Sequence, residues 1–566
     1  MASTLPNEIL LHILKDALPY DFESLALTSK HMYALASPLL ARHNELRRKY
    51  RRFEQPQDDD RHDSDNNMCV PELLLEIATD PIIARYIIHA DLGYRRTLRA
   101  NFAEHPMPMD DAGRSAHYRN ITPRAKLLAL VNESHYIPLH RLSAEGWVDR
   151  IIADRCGPGP GYAVAFLLSL LPNLESLVLD KTWSALPERN FTGPETTRSG
   201  TENTGDDWER AVPDLLHLLI KRANDVGGLE TDQDCPLRKL RTLHPIQDWK
   251  TWPSEINLEA IVPFFALNSL QKVRMDRGIL GSVAWVKAED DKFGTDDDWK
   301  QYWKTDEGAH ERPLLNFQKT GKYVKLGPNL EVVDLRDSVV SDEAAVPLVK
   351  YMHRLRVLKL EYNDMHYHGQ GWNVNYFLDN VAKLIGQHLE HLAITARGLV
   401  QHQATLFWKD AGRLKNLHRF RTLTRLTLDS KLFVDSSADV KSPPTPVEDV
   451  AKHAPSLLDV APRTLEMFVL HVSGTAEDRA VMESLFRDFP ERRGERLPDL
   501  VQAEVVVDGR DMLGWELKDW TEQYEIARFC MAKGIECTMI RCHAEAMKKC
   551  EDNGVAFKQR DYDNIR

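Results

Sequence analysis

Residues 355–360 read Leu-Arg-Val-Leu-Lys-Leu, and this L-x-x-L-x-L phrase decides the fold. Its last two leucines alternate with other residues, as a β-strand with one buried face requires. The earlier leucine is expected to pack at the turn into the strand. The phrase recurs, in full or relaxed form, at Leu174, Leu177 and Leu179; Leu240 and Leu243; Leu270, Val273 and Met275; Leu330, Val333 and Leu335; Leu389, Leu392 and Ile394; Leu423, Leu426 and Leu428; and Leu465, Phe468 and Leu470.

Amphipathic stretches of helix length precede several of these units. They cover residues 215–223, 258–267, 343–352, 376–385 and 481–489. Strand and helix therefore alternate, and the chain resembles a leucine-rich-repeat array. One unit offers too little apolar surface to be buried without stacked neighbours, which favours a solenoid. The alternative is an ordinary α/β domain with parallel strands, because the spacing between units is irregular.

The irregular spacing indicates insertions between repeats. Residues 192–207 are rich in Gly, Thr and acidic residues, which predicts a loop. Residues 285–312 and 362–373 combine aromatic and polar side chains. Such insertions either carry recognition or pin themselves to the solenoid body. Residues 500–507, 524–532 and 537–540 predict a final strand, helix and edge strand that cap the array.

The N-terminal residues 5–43 read LPNEILLHILKDALPYDFESLALTSKHMYALASPLLARH. Pro6 suits the first turn of a helix, and two pairs four residues apart, Ile9 with Ile13 and Leu10 with Leu14, give that helix a wide apolar face. Pro19 ends or redirects the chain. A second short helix follows, with Phe22, Leu25 and Ala26 on one side.

A third helix is predicted after Thr28 or Ser29, either of which can cap it. It carries Met32, Tyr33, Leu35 and Ala36, and Pro38 should end or kink it. Three short helices have little core of their own. The module is therefore either a cap on the larger domain or a surface that a partner completes.

The sequence of this segment resembles an F-box, in its fungal form in particular. The resemblance rests on Leu5-Pro6, the apolar pairs, Leu18-Pro19 and Thr28-Ser29-Lys30. It implies docking onto a Skp-type adaptor and, through it, a cullin–RING ubiquitin ligase. The implied docking residues are Leu5, Pro6, Ile9, Leu10, Ile13, Leu14 and Leu25.

The composition limits the classes of partner and the cellular compartments that fit this chain. The chain has 566 residues, of which 43% are hydrophobic and 28% charged, and a net charge of -12. That charge disfavours nucleic acid as a partner. Seven cysteines in so long a chain fit a reducing compartment better than a disulfide framework. Neither a secretory signal nor a membrane-spanning run is present in the sequence, so an intracellular protein, cytoplasmic or nuclear, is expected.

The sequence contains no recognisable motif for catalysis, a cofactor or a metal. No phosphate-binding G-x-x-x-x-G-K-[ST] loop occurs, and the Gly–Pro run at 157–161 indicates a turn. The cluster of Cys530, Cys537, Cys542, His543 and Cys550 lacks the paired spacing of a zinc site. His366 and His368 fit a surface loop. The prediction is therefore no catalytic residue, no cofactor, no metal and no enzyme.

Together these patterns predict an α/β protein in which a small three-helix F-box precedes an irregular leucine-rich-repeat solenoid. The predicted domains are residues 1–46 for the F-box, 47–120 for a linker and helical connection, and 121–566 for the repeats. The predicted function is the substrate-recognition adaptor of an SCF-type ubiquitin ligase, with an unknown protein as target. The alternative is a repeat scaffold unconnected to ubiquitin.

Overall fold

A computed structural model describes residues 5–54, 68–92, 121–137, 142–153, 161–179, 211–225, 234–245, 256–257, 261–276, 278–280, 327–340, 346, 349–363, 374–397, 414, 417–433, 455–508, 520–540, 542 and 544–559. The chain divides into two compact units, Met1–Leu270 (unit 1) and Gln271–Arg566 (unit 2). The insertions predicted at 192–207 and 285–312, and 364–373 of the third, lie outside the described residues. Among the described helices, none is both long and apolar enough to cross a membrane.

Unit 1 begins with three helices, α1 (Asn7–Asp16), α2 (Phe22–Ala26) and α3 (Lys30–Tyr50), which we call the N-terminal module. The Leu18–Pro19 peptide bond between α1 and α2 is cis. Ser29 caps α3, because its hydroxyl accepts a hydrogen bond of 3.1 Å from the backbone N–H of Met32. Of the two effects predicted for Pro38, ending or kinking the third helix, the first does not occur, since α3 continues through Pro38 to Tyr50.

Short helices and strands alternate in the rest of unit 1. They are β1 (Arg52–Glu54), α4 (Val70–Thr79), α5 (Ile82–Tyr86), β2 (His89–Asp91), α6 (Ile121–Glu133), α7 (Ala144–Ala153), α8 (Tyr162–Leu168), β3 (Ser176–Leu179), α9 (Ala211–Asn224), β4 (Thr242–Pro245), β5 (Ile256–Asn257) and a 3-10 helix (Val262–Ala266). Strands β1 to β4 pair in parallel and in chain order. The parallel strands thus begin earlier than the predicted repeats, because β1 and β2 lie in the segment interpreted as a linker and helical connection.

Unit 2 continues the alternation with longer strands. Its elements are β6 (Lys272–Asp276), β7 (Gly278–Leu280), β8 (Val332–Val340), β9 (Val357–Asn363), α10 (Val374–Ile385), β10 (His391–Arg397), a 3-10 helix (Leu417–Arg419), β11 (Arg425–Asp429), a 3-10 helix (Ser430–Phe433), α11 (Leu457–Val460), β12 (Met467–Val472), α12 (Ala476–Leu485), α13 (Phe489–Arg496), β13 (Gln502–Asp508), α14 (Trp520–Lys533), β14 (Glu536–Ile540), α15 (Ala544–Asp552) and β15 (Lys558–Gln559). The strands form a parallel sheet in the order β6-β8-β9-β10-β11-β12-β13-β14-β15, with β7 beside β8.

The repeated leucines stack in register across the sheet of unit 2. Leu358 lies opposite Leu392, which lies opposite Leu426, which in turn lies opposite Phe468. These side chains are buried, and so are the leucines at the turn into each strand, such as Leu355 and Leu389. Burying one such side chain stabilises the fold by roughly 1.5–3 kcal/mol, so the core is a ladder that each strand extends.

Candidate partner-binding site

The N-terminal module has a small core of its own. Leu10 and Leu14 of α1 pack against Phe22 and Ala26 of α2 and against Met32 and Ala36 of α3. Leu25, one of the predicted docking residues, is partly buried and packs against this core. The core orients α1 so that its opposite side is directed away from α2 and α3.

That opposite side of α1 is apolar and exposed. Leu5, Ile9 and Ile13 are 45%, 47% and 39% exposed, and Pro6, also exposed, accepts the first hydrogen bonds of the helix through its carbonyl oxygen. In contrast, Leu10 and Leu14 are 3% and 0% exposed. Of the seven predicted docking residues, Leu10 and Leu14 thus lie in the module's own core and Leu25 packs against it, whereas Leu5, Pro6, Ile9 and Ile13 are exposed.

Charged and aromatic contacts hold the module against the helices that follow it in unit 1. Arg42 of α3 donates to Asp80 at 2.5 Å, and Lys49 of α3 pairs with Glu76 of α4 at 3.1 Å. The Tyr50 hydroxyl also donates to Glu76. These pairs are partly exposed, so each contributes roughly 0–1 kcal/mol, and their effect is mainly to fix the direction of α3.

A buried pair lies at the centre of this junction. His43 Nδ1 and the Tyr86 hydroxyl are 2.9 Å apart, and the His43 ring also contacts Phe22 of the module core. Burial lowers the pKa of His43 and raises the pKa of Tyr86 to about 12, so both groups are neutral near pH 7. One neutral hydrogen-bonded pair thus joins the core of the module to α5.

The turn between α1 and α2 contacts the turn that precedes β4 in unit 1. The Lys239 ammonium lies 4.5 Å from the centre of the Tyr20 ring, an arrangement favourable for a cation–π contact. Burial, and then the negative charge of Glu175, raises the pKa of Tyr20 to about 12. The module is therefore fixed to unit 1 at two places, while the Ile9 and Ile13 side of α1 stays open.

The face of the unit 2 sheet opposite the leucine ladder forms a second surface, because alternate strand residues point to it. Lys359, His391 and Arg425 lie on adjacent strands there. Burial, and then the positive charges of Lys359 and Arg425, lowers the pKa of His391 to about 4. His391 is therefore neutral at physiological pH.

This lowered pKa predicts a pH-dependent stability. Between pH 6.5 and 4, His391 is protonated in the unfolded chain but neutral in the folded chain. Acidification through this window therefore destabilises the fold, and the loss of stability levels off below pH 4. We expect His391→Asn to abolish about 1–3 kcal/mol of this loss. Urea unfolding of both proteins at pH 7.5 and 4.5 measures the difference, and equal losses in the two would contradict the prediction.

The described cysteines behave as small apolar residues. Cys530, Cys537, Cys542 and Cys550 are buried, and burial raises the pKa of Cys550 to about 11. Within the described residues no group of three or more histidine, cysteine or acidic side chains is placed to hold a metal ion. His543, His366 and His368 lie outside the described residues.

Residues 2–47 match the protein-family model described as F-box-like, a span that covers α1, α2 and most of α3. The chain thus carries an F-box-like domain at its N-terminus, as the wording of residues 5–43 predicted. A search of curated proteins found no match to the chain. The docking residues and the fungal form stay predictions.

Proposed function

We propose that this chain is a substrate-recognition adaptor of an SCF-type, cullin–RING ubiquitin ligase. In this proposal the F-box-like domain binds a Skp-type adaptor and the repeats of unit 2 bind a protein target. The ligase core supplies the chemistry, and the chain itself contributes no catalytic group. The observation that carries the proposal is the F-box-like domain at residues 2–47, whose first helix presents an apolar side that its own core leaves open.

The exposed apolar residues of α1 support the adaptor half of the proposal. Ile9 and Ile13 lie four residues apart on one side of the helix, and Leu5 precedes them by a further turn. A row of three aliphatic side chains in water is unfavourable by roughly 25 cal/mol for each Å² of apolar surface, which burial against a partner recovers. The prediction of docking residues is accordingly refined to Leu5, Pro6, Ile9 and Ile13.

The architecture of unit 2 supports the target-binding half. Its strands are parallel, follow chain order and stack equivalent leucines in register, which is the arrangement that a leucine-rich-repeat solenoid requires. A doubly wound α/β sheet instead reverses its strand order at a switch point. We therefore infer an irregular leucine-rich-repeat solenoid that presents one sheet face as a wide surface for a protein target.

Reconstitution tests the proposal. We expect the full chain, co-expressed with a Skp-type adaptor, to elute with it as a stable complex on size-exclusion chromatography. When a cullin is added, it is expected to elute with this complex. Deletion of residues 2–47 is expected to remove both partners. If the folded full chain elutes separately from the adaptor, the ubiquitin role is lost and the repeat scaffold unconnected to ubiquitin becomes the better account.

A further inference from the structure

The sheet face of unit 2 carries four cationic side chains on the strands from β6 to β11. In the first row the residues opposite each other are Lys272, Val332, Val357, His391 and Arg425, on β6, β8, β9, β10 and β11 in turn. The second row, two residues further along the strands, begins with Arg274, Asp334 and Lys359. Four cations therefore surround two valines, in a chain whose net charge is -12.

Among the described residues, these cations have no anionic partner. Within the described part of unit 2, no carboxylate pairs with Lys272, Arg274, Lys359 or Arg425. Between β6 and β11 the one carboxylate in these two rows, Asp334, is buried and already accepts hydrogen bonds from Arg336 at 2.9 and 3.1 Å. Asp334 therefore offsets the positive charge of this surface only in part, because it is already paired with Arg336.

Two side chains on this face are affected by the positive charges around them. His391 lies between Val357 and Arg425 in the first row. Burial is the largest cause of its lowered pKa, the charges of Lys359 and Arg425 act in the same direction, and Asp334 opposes them. The Nε of Arg274 is buried and has no hydrogen-bond acceptor among the described residues. A buried guanidinium nitrogen without an acceptor is unfavourable, so Arg274 adds an unpaired cation to this face.

The dimensions of the surface limit what fits it. Neighbouring strands are about 4.8 Å apart, so Lys272 and Arg425 are separated by about 19 Å across four strand spacings. An extended chain advances about 3.3 Å for each residue, so about six residues span that distance. Val332 and Val357 lie between the cations and are partly buried, which leaves room for an aliphatic side chain.

We propose that this face, which we call the β6–β11 cationic face, binds an extended segment of the target protein that carries aspartate or glutamate on both sides of an aliphatic residue. The carboxylates contact Lys359 and Arg425, and the aliphatic side chain packs on Val357. The charge of the third row, two residues beyond Arg274 and Asp334, is different. This row places Asp276 and Glu361 near Arg336, and these carboxylates disfavour an anion there. This inference rests on the proposed function, because it specifies the target of the repeats.

Fluorescence anisotropy with the full chain tests the inference. The probe is a labelled peptide of about ten residues in which Glu and Val alternate, and its counterpart replaces Glu by Lys. We expect the Glu peptide alone to bind, and Lys359→Glu with Arg425→Glu to weaken it at least about tenfold. The matched control is Arg354→Glu with Arg421→Glu, which changes the charge equally at exposed turn positions and is expected to leave binding unchanged.

Each other outcome overturns the inference. Equal binding by the two double variants would show a non-specific charge effect, and binding only of a phosphoserine peptide would exclude a carboxylate segment. If wild type binds nothing but a variant with Asp296, Asp297 and Asp298 changed to Asn binds the Glu peptide, the chain's own acidic segment is the occupant. Binding of the Skp-type adaptor to the wild-type chain is measured in parallel. If wild type does not bind the adaptor, the proposed function is contradicted. If it binds the adaptor but not the Glu peptide, only this inference is contradicted.

Discussion

Replacing Ile9 by aspartate and Ile13 by lysine together is expected to abolish binding of a Skp-type adaptor while the N-terminal module stays folded. Both side chains lie on the exposed side of α1, so their charged replacements remain in water in the free protein. In the complex, the same charges would be buried against an apolar partner without compensation. We expect the affinity to fall by more than roughly 100-fold.

The choice of substituents separates binding from folding. Aspartate at position 9 lies in the first half of α1 and lysine at position 13 follows four residues later, which is the favourable order for a helical ion pair and for the helix dipole. Replacing Leu10 or Leu14 by a charged residue would be uninformative, because both are in the module core and the variant would lose the adaptor by unfolding.

Pull-down with purified adaptor, together with circular dichroism of each variant, measures the effect. The matched control is Val501→Asp, which places the same charge on an aliphatic residue that is 82% exposed in unit 2. We expect Val501→Asp to bind as wild type does. A double variant that is folded and still binds the adaptor would show that α1 is not part of the docking surface.

The sequence predicted the strands well because their signal is local. Within one strand the alternation of Leu358 and Leu360 is visible without knowledge of any neighbour, and these residues are buried as expected. Strands β1 and β2 were missed because each has three residues and lacks the L-x-x-L-x-L phrase. Phe53 and Ala90 are recognised only by their pairing with each other.

The docking surface shows the limit of helical periodicity. The pairs Ile9 with Ile13 and Leu10 with Leu14 are equivalent in spacing, so the pattern cannot say which pair the protein buries itself. Phe22, Met32 and their neighbours on α2 and α3 decide this, and they select Leu10 and Leu14. Tertiary packing also overrides Pro38: His43, Leu46 and Tyr50 are buried beyond it, and their contacts outweigh the lost backbone hydrogen bond.

Changing Asp478 to alanine is expected to destabilise unit 2 by about 3–5 kcal/mol, the largest stability loss that we predict for a polar residue. Asp478 is 3% exposed and lies in the first turn of α12. Its Oδ2 accepts hydrogen bonds from the backbone N–H groups of Ser473 and Thr475, at 3.0 and 2.9 Å. The Thr475 hydroxyl donates to the same oxygen at 2.8 Å.

The second oxygen of this carboxylate links α12 to the end of β11. The hydroxyl of Ser430, which follows β11 directly and is buried, donates to Oδ1. One side chain thus holds the turn between β12 and α12 and the end of β11 together. Alanine would leave two backbone donors and two hydroxyl groups without their acceptor in a site that water reaches poorly, which is why the cost exceeds that of one ordinary hydrogen bond.

The matched control is Glu477→Ala, which removes a carboxylate from the same first turn of α12 but none of these hydrogen bonds. It costs only the helix-dipole contribution, about 0.3–1 kcal/mol. Urea unfolding followed by hydrogen exchange of peptides from β11 and β12 reports on unit 2 without requiring the whole chain to unfold in one step. Similar losses for the two variants would mean that Asp478 acts through its charge, and the hydrogen-bonded link between α12 and the end of β11 would not contribute to stability.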